Sequence, residues 1–440
     1  MLLSAAIPPV WLILPFVSLL LLIAIGPVMM PHFWHKNYVR ISIGSGLLVA
    51  AYYVFFMHEP WLPLETLAEY VSFISLLTVL FIASGGVYLF VDVESKATTN
   101  IIFLFLAAIL TNVMGTTGAS VLLIRPFMRI NRYRLQPYHI VFFIFIVSNL
   151  GGLLTPIGDP PLFMGFLKGV PFQWTLSHLW PQWLIANLLL LIIFYFFEKR
   201  NTALDDVDDS ARYTNKFIIN GSQNFIWLGL GIASVFVDPN VIEGLPCFEI
   251  HGKKVSFIRE ILQLSIAYLC YKTANKHAMQ SNEFSFEPIK EVAYLFFGIF
   301  LCMVPALQLL EHTMQTAGAD VHLTPALIYF GSGIFSSVLD NAPTYMNVLA
   351  VILSSMGLSV NNVEHVRQLV HSEGAILLAA VSVGSVFFGA MTYIGNGPNF
   401  MVKAIAEHAG VKMPSFGAYI GRYSIPILLP VLLFIWLLFF

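Results

Sequence analysis

A seven-position motif occurs twice in this chain, with identical internal spacing, 237 residues apart. The first copy is Ser148, Gly152, Thr155, Ile157, Gly158, Asp159 and Pro161. The second is Ser385, Gly389, Thr392, Ile394, Gly395, Asn396 and Pro398. Six positions are identical, and the seventh exchanges Asp for Asn. Each copy interrupts an apolar stretch long enough to cross a membrane. Glycine and proline among polar residues break a helix. Non-helical backbone at membrane depth is tolerated only where it lines a cavity or is buried in protein. Corresponding breaks in two halves of a chain point to the substrate site of a secondary transporter.

Composition fixes the class. Of 440 residues, 58% are hydrophobic and 10% charged, against roughly 25% charged in a soluble domain. This is an integral, multi-pass, all-α membrane protein. The net charge of −2 says nothing about partners, and no basic run suggests nucleic acid. Cys247, Cys270 and Cys302 lack metal spacing and read as packing residues. Residues 1–30 lack a basic leader and read as a first membrane helix rather than a signal peptide. The absence of a long N-terminal extension fits a bacterial inner membrane.

Apolar segments predict about ten spans, at 7–30, 41–57, 70–91, 138–168, 179–197, 222–237, 257–271, 290–310, 372–402 and 416–440. Two further segments, 98–130 and 323–354, run apolar, polar, apolar, with arms shorter than a span. They predict re-entrant helical hairpins, with tips at TNVMGTTGAS (111–120) and SSVLDNAPTYMN (336–347). With the N-terminus outside, only Lys168, Lys253, Lys254, Arg259 and Arg367 fall outside, which leaves 17 of the 22 Lys and Arg inside. The order span, span, hairpin, broken span, span then appears twice, starting from opposite sides. The expected organisation is an N-terminal membrane helix (1–40), a first inverted repeat (41–200), a linker with a connecting span (201–256) and a second inverted repeat (257–440). The run Asp205, Asp206, Asp208 and Asp209 reads as a solvated linker.

This plan brings four polar elements together, the hairpin tips and the helix breaks. Broken helices offer free carbonyls to cations and free N–H groups to anions. Side chains decide between them. Asp159 and Asp340 lie near the expected midplane, where an ionisable residue costs about 2.5–3.5 kcal/mol to insert and marks function by default. Asn112, Thr116, Thr117, Asn149, Thr155, Gly158, Asn341, Thr392, Gly395 and Asn396 surround them in this reading. That oxygen-rich set suits a small hard cation, with Asp159 and Asp340 as its ligands. Two neighbouring carboxylates also let protons compete with it. The plainer alternative is that each Asp caps the half-helix it precedes. Gly151–Gly152 permits close packing, and Arg125 snorkels toward the cytoplasmic interface.

The segments SNLGGLLTPIGDPP (148–161) and SSVLDNAPTYMN (336–347) resemble the ion transporter superfamily. They are most similar to its NhaD-type sodium–proton antiporters and arsenite-efflux permeases, which belong with citrate-transporter-like domains. The matching residues are Asn149, Gly151, Gly152, Pro156, Ile157, Gly158 and Asp159, then Asp340, Asn341 and Pro343. TNVMGTTGASVLLIRP (111–126) is similar to the first-hairpin segment of the group. The resemblance implies two inverted repeats with re-entrant hairpins, alternating access and a homodimer. Dicarboxylate carriers of the superfamily carry Ser-Asn-Thr at both hairpin tips. This chain has Thr111-Asn112-Val113 and Asp340-Asn341-Ala342 instead. Pro160–Pro161 after Asp159 also departs from the antiporter pattern.

The expected function is therefore a sodium–proton, or similar cation–proton, antiporter, with no cofactor beyond the transported sodium ion and protons. The alternative is a sodium- or proton-coupled carrier of citrate, a dicarboxylate or an arsenite-like oxyacid. An intramembrane aspartyl protease does not fit. Gly-x-Gly-Asp is absent because position 156 is Pro, and both Pro-Ala-Leu triplets precede Asp340. The chain is not read as an enzyme.

Overall fold

The computed structural model describes residues 7–201, 213–239, 242, 244–250, 253–317 and 322–440. The acidic run at 205–209 lies outside them. Among the described residues, eight helices are long and apolar enough to cross a membrane, or nine if one sharply bent pair counts as a span. The chain opens with α1 (Leu14–Met29), α2 (Pro31–Phe55) and α3 (Trp61–Gly85). The segment expected to remain helical to residue 91 instead stops at Gly85. It continues as β1 (Tyr88–Asp92), antiparallel to β2 (Lys216–Asn220), with Tyr88 opposite Asn220 and Asp92 opposite Lys216.

Next comes α4 (Ala97–Ile130), two helical arms that meet at a non-helical residue, Gly115. At 1.5 Å per residue, 34 helical residues would extend about 51 Å. Yet Asn100 and Asn131 exchange side-chain hydrogen bonds at 2.7 and 2.9 Å. The Ser95 hydroxyl donates to Asn131 at 2.6 Å, and the Phe103 and Phe127 rings stack with centroids 5.4 Å apart. α4 therefore folds back on itself, as the first hairpin was expected to. The reversal sits at Gly115, with φ 77° and ψ 156°. Backbone at that φ favours glycine, and a Cβ there would also press on the Ile157 carbonyl at 3.2 Å.

The first broken span follows as α5 (Pro137–Ile146), a 3₁₀ turn (Leu150–Leu154) and α6 (Pro160–Lys168). Then come α7 (Phe172–Arg200), α8 (Asn224–Ser234), the β3–β4 pair (Phe248–Ile250 and Lys253–Val255), α9 (Ile258–Thr273) and a short α10 (Lys276–Ser281). α8 and α9 correspond to expected spans but have only 11 and 16 residues, fewer than the roughly 20 that cross a bilayer. They pack on each other and on α3.

The second half has α11 (Glu287–Ala317), α12 (Pro325–Val338) and α13 (Asn341–Ser355). α12 and α13 are separated only by Leu339 and Asp340. After α14 (Val363–Val370), the second broken span consists of α15 (Ala375–Phe388), a 3₁₀ turn (Gly389–Met391) and α16 (Gly397–His408). The chain ends in α17 (Phe416–Tyr419), a π-helical stretch (Ile420–Leu428) and α18 (Leu429–Phe439).

The two broken spans form the centre. Every residue from Tyr138 to Ile146 in α5, and from Leu378 to Phe388 in α15, is buried. These stretches are buried on every face, so they present no side to lipid. A second buried knot ties the foot of the α4 hairpin to α5 and α7. There Glu198 accepts from Asn100 at 2.9 Å and from Tyr138 at 2.5 Å, with His139 at 2.7 Å and Arg134 at 3.2 Å.

Candidate functional site

The two breaks have the same local construction. In the first, the Thr155 hydroxyl donates to the Asn112 carbonyl at 2.6 Å and accepts from Gly158 N at 3.1 Å. In the second, the Thr392 hydroxyl donates to the Ser337 carbonyl at 2.6 Å and accepts from Gly395 N at 3.1 Å. The following residues have nearly the same backbone angles, −143° and 144° at Asp159 against −150° and 139° at Asn396. The glycines allow the chain to cross itself. A Cβ on Gly158 would lie 2.2 Å from the Gly152 carbonyl oxygen, and one on Gly395 2.6 Å from that of Gly389. The repeated motif is thus a repeated fold: a threonine ties the break to a neighbouring helix tip, and two glycines let the crossing close.

Each break is stitched to the hairpin element beside it. Thr116 N donates to the Gly158 carbonyl at 2.8 Å. The Asn112 side chain donates to the Gly151 carbonyl at 2.7 Å and accepts from Leu154 N at 2.8 Å. The Ser120 and Ser148 hydroxyls meet at 2.8 Å. On the other side, the Ser336 hydroxyl donates to the Ser385 carbonyl at 2.5 Å. Gly151 does permit close packing, since a Cβ there would sit 3.0 Å from the Ala108 Cα.

The two halves meet at Asp159, which is 1% exposed. Its Oδ1 accepts from the Thr116 hydroxyl at 2.8 Å and from Asn396 Nδ2 at 3.1 Å. Its Oδ2 accepts from Asn341 Nδ2 at 2.6 Å. The donors come from the first hairpin, the second break and the start of α13. Asp159 precedes α6 but makes no capping hydrogen bond to it; the carboxylate points away from the helix it was expected to cap. Asp340 behaves differently. Its Oδ1 accepts from Ala342 N at 3.1 Å, so it does cap α13. Asp340 is partly exposed and lies next to Asn341 in the chain, so its backbone borders the Asp159 pocket.

The structure thus brings Thr116, Asn341 and Asn396 onto Asp159. Asn112, Thr155 and Gly158 frame the first break, and Thr392 and Gly395 frame the second. Asn149 sits between the breaks. It donates to Asn399 Oδ1 at 2.7 Å and accepts from Asn396 at 3.2 Å. Thr117 is half-buried and makes no side-chain hydrogen bond to the others. Arg125 points away from this pocket and pairs with the exposed Glu283 at 2.6 Å. Sequence reasoning missed Asn399, which is fully buried and donates to the Gly389 and Thr392 carbonyls at 2.8 and 2.9 Å. Its counterpart in the first copy is Leu162, so the repeat did not flag it. The available signal was an amide inside an apolar half-helix.

The electrostatics of this pocket are one-sided. Among the described residues, neither Asp159 nor Asp340 pairs with a Lys, Arg or His. A buried carboxylate without a counter-charge costs several kcal/mol, offset here by three hydrogen bonds of about 1.5–3 kcal/mol each. Asn341 is fully buried, and its Oδ1 has no hydrogen-bond partner. An unpaired amide oxygen beside an uncompensated carboxylate makes a site for a hard cation or a proton. Among the described residues, no group of three or more His, Cys, Asp or Glu could hold a metal ion. A cation would therefore be held by carboxylate together with neutral oxygens.

Comparison with known proteins gives a membrane transporter. A family model described as "Putative citrate transport" matches residues 5–440. A 46 kDa membrane protein of Mycobacterium leprae is 25% identical over 378 residues, covering 82% of each chain. An uncharacterized transporter of Mycobacterium tuberculosis is 23% identical over 420 residues, covering 91% of this chain and 92% of its own.

Proposed function

The chain belongs to the family described as "Putative citrate transport", and on that premise we propose a carrier in which Asp159 and Asp340 alternately hold a small cation or protons. It is a multi-pass membrane transporter rather than an enzyme. The finer reading is sodium–proton, or similar cation–proton, antiport by alternating access. The observation that carries it is Asp159: buried, held by three neutral donors, with no basic partner among the described residues and with the free Asn341 oxygen beside it. Cation and proton compete for one carboxylate, which is the minimum that exchange requires. In this reading the hairpin and the broken helices move against the outer spans.

A second reading is a coupled carrier of citrate or a similar carboxylate, and the family description favours it. The carboxylates would then bind the coupling ion, and half-helix N-termini the anion. Among the described residues, however, a tricarboxylate would meet no basic side chain at Asp159 or Asp340, and this weighs toward the first reading. Proteoliposomes separate the two. Sodium-, lithium- or potassium-driven proton flux without citrate supports antiport. Labelled citrate uptake that needs sodium or a proton gradient, with no flux in its absence, supports the second. The mycobacterial relatives favour a bacterial inner membrane, and the resemblance implies a homodimer, which cross-linking in native membranes tests.

A further inference from the structure

An apolar groove of about 430 Å³ lies on the outer surface between the first arm of α4 and the C-terminal half of α7. Ile101, Phe105, Leu106, Leu188, Ile192 and Tyr195 are among its walls. On a spanning surface such a groove takes a hydrocarbon chain, and any phospholipid could supply one. The charge at one end discriminates between lipids. Lys96 immediately precedes α4, and Lys199 and Arg200 close α7. The Asn100–Glu198 hydrogen bond of 2.9 Å brings these ends together.

Lys96 is paired with Glu94 at 2.6 Å, which leaves Lys199 and Arg200 as the cations offered to the groove mouth. Lys199 Nζ lies 5.7 Å from the centre of the Tyr195 ring, itself a groove wall. Lys199 and Arg200 are exposed and make no ion pair among the described residues. On α7 itself the neighbouring carboxylate, Glu198, is 3% exposed and is consumed by Asn100, Tyr138, His139 and Arg134. This end is also the one that the distribution of Lys and Arg assigns to the cytoplasm. We propose that the groove binds one acyl chain of an anionic phospholipid of the cytoplasmic leaflet, with Lys199 and Arg200 holding its phosphate. The partner is identified by shape and charge together: an apolar slot with a cationic mouth.

The site bears on transport because the groove wall is an arm of the α4 hairpin. The other arm begins at Thr116, which donates to Asp159. A bound lipid would brace the hairpin from outside, whichever ion the pocket carries.

The test is native mass spectrometry of the full chain in detergent, titrated with dioleoyl phosphatidylglycerol or dioleoyl phosphatidylcholine. Basic side chains near an anionic lipid contribute on the order of fivefold each, so the anionic lipid should bind roughly twentyfold more tightly. The double variant Lys199→Gln/Arg200→Gln should erase that preference while leaving weak binding of both lipids. Leu188→Trp, which fills the groove, should remove both. These positions are exposed, and an unchanged melting temperature confirms that each variant is folded. Equal retention of the two lipids by the wild type overturns the proposal, as does a preference that survives the double variant. Loss of a dimer in Leu188→Trp, with no lipid retained by the wild type, would assign the groove to a second copy and overturn it too.

Discussion

Asn341 donates its side-chain amide to Asp159 Oδ2 at 2.6 Å, joining residues 182 positions apart. The bond links the break between α5 and α6 to the first turn of α13. Movement of α13 relative to the break must stretch it. A cation on Asp159 would compete for the same oxygen while gaining the free Asn341 Oδ1 as a ligand. On the proposed reading, the two residues would couple occupancy of the pocket to the position of α13.

Replacing Asn341 should weaken cation binding, because the cation would lose its Oδ1 ligand. A polar contact to a charged group contributes about 1.5–3 kcal/mol, or roughly tenfold or more in affinity. Asn341→Ala is expected to raise the half-saturating cation concentration by about tenfold. Dye-monitored flux over a cation titration measures this, and an unchanged half-saturation would remove Asn341 from the binding role.

The glycine crossings predict a sharp contrast between two Gly→Ala substitutions. At Gly158 a methyl group would meet backbone at 2.2 Å, and at Gly229, inside α8, it would meet nothing within 4 Å. Gly229→Ala should be neutral or stabilise by about 0.5–1 kcal/mol, the usual helix-interior gain. Gly158→Ala should lower the melting temperature and abolish transport. Thermal unfolding followed in detergent distinguishes the pair; equal melting temperatures would contradict the crossing.

The α4 hairpin can be cross-linked. Phe103 and Phe127 stack at 5.4 Å, whereas 24 residues of straight helix would separate them by about 36 Å. The double substitution Phe103→Cys/Phe127→Cys, with the exposed Cys247 replaced by Ser, should form an intramolecular disulfide under mild oxidation. Gel mobility after specific proteolysis between the sites reports it. Failure to cross-link, with both thiols reactive, would restore a single crossing helix.

The pocket was legible in the sequence to the extent that its chemistry repeats. Thr155 and Thr392, the paired glycines, and the polar tip of α4 all stand out because glycine and polar groups are costly at membrane depth without a reason. The strand β1 was not legible. Tyr88–Asp92 is apolar enough to extend a helix by composition, and its pairing with Lys216–Asn220 depends on a contact more than 120 residues away. The direction of the Asp159 side chain was equally hidden. Both Asp159 and Asp340 precede a half-helix, and only three-dimensional packing decides that one caps while the other faces Asn341, Asn396 and Thr116. The Glu198 knot escaped notice for a related reason. His139, Asn100 and Glu198 are distant in sequence and individually ordinary.

That soluble-side structure predicts a pH dependence of stability. Asp92, at the end of β1, accepts from Thr214 N at 3.1 Å, from the Thr214 hydroxyl at 2.5 Å and from Arg132 at 2.6 Å. Burial pushes its carboxyl up, but the bonds from Thr214 and Arg132 outweigh that and hold it below the ordinary carboxylate value. A depressed folded value means the stabilisation is complete above the unfolded value of about 3.9 and is lost as pH falls through the folded one. The gap in melting temperature between wild type and Asp92→Asn should be constant above about pH 5 and should narrow as pH falls below the unfolded value of about 3.9. A gap independent of pH throughout would assign the effect of the substitution to packing rather than charge.

The most direct test of the central claim is cation-driven proton flux by the purified protein in proteoliposomes, wild type against Asp159→Asn. The substitution keeps the volume and removes the charge on which three donors converge. The account predicts cation-dependent flux in the wild type and its loss, by at least about tenfold, in a variant that still folds. Wild-type flux persisting in Asp159→Asn would show that the ion does not bind at this carboxylate, and would contradict the account.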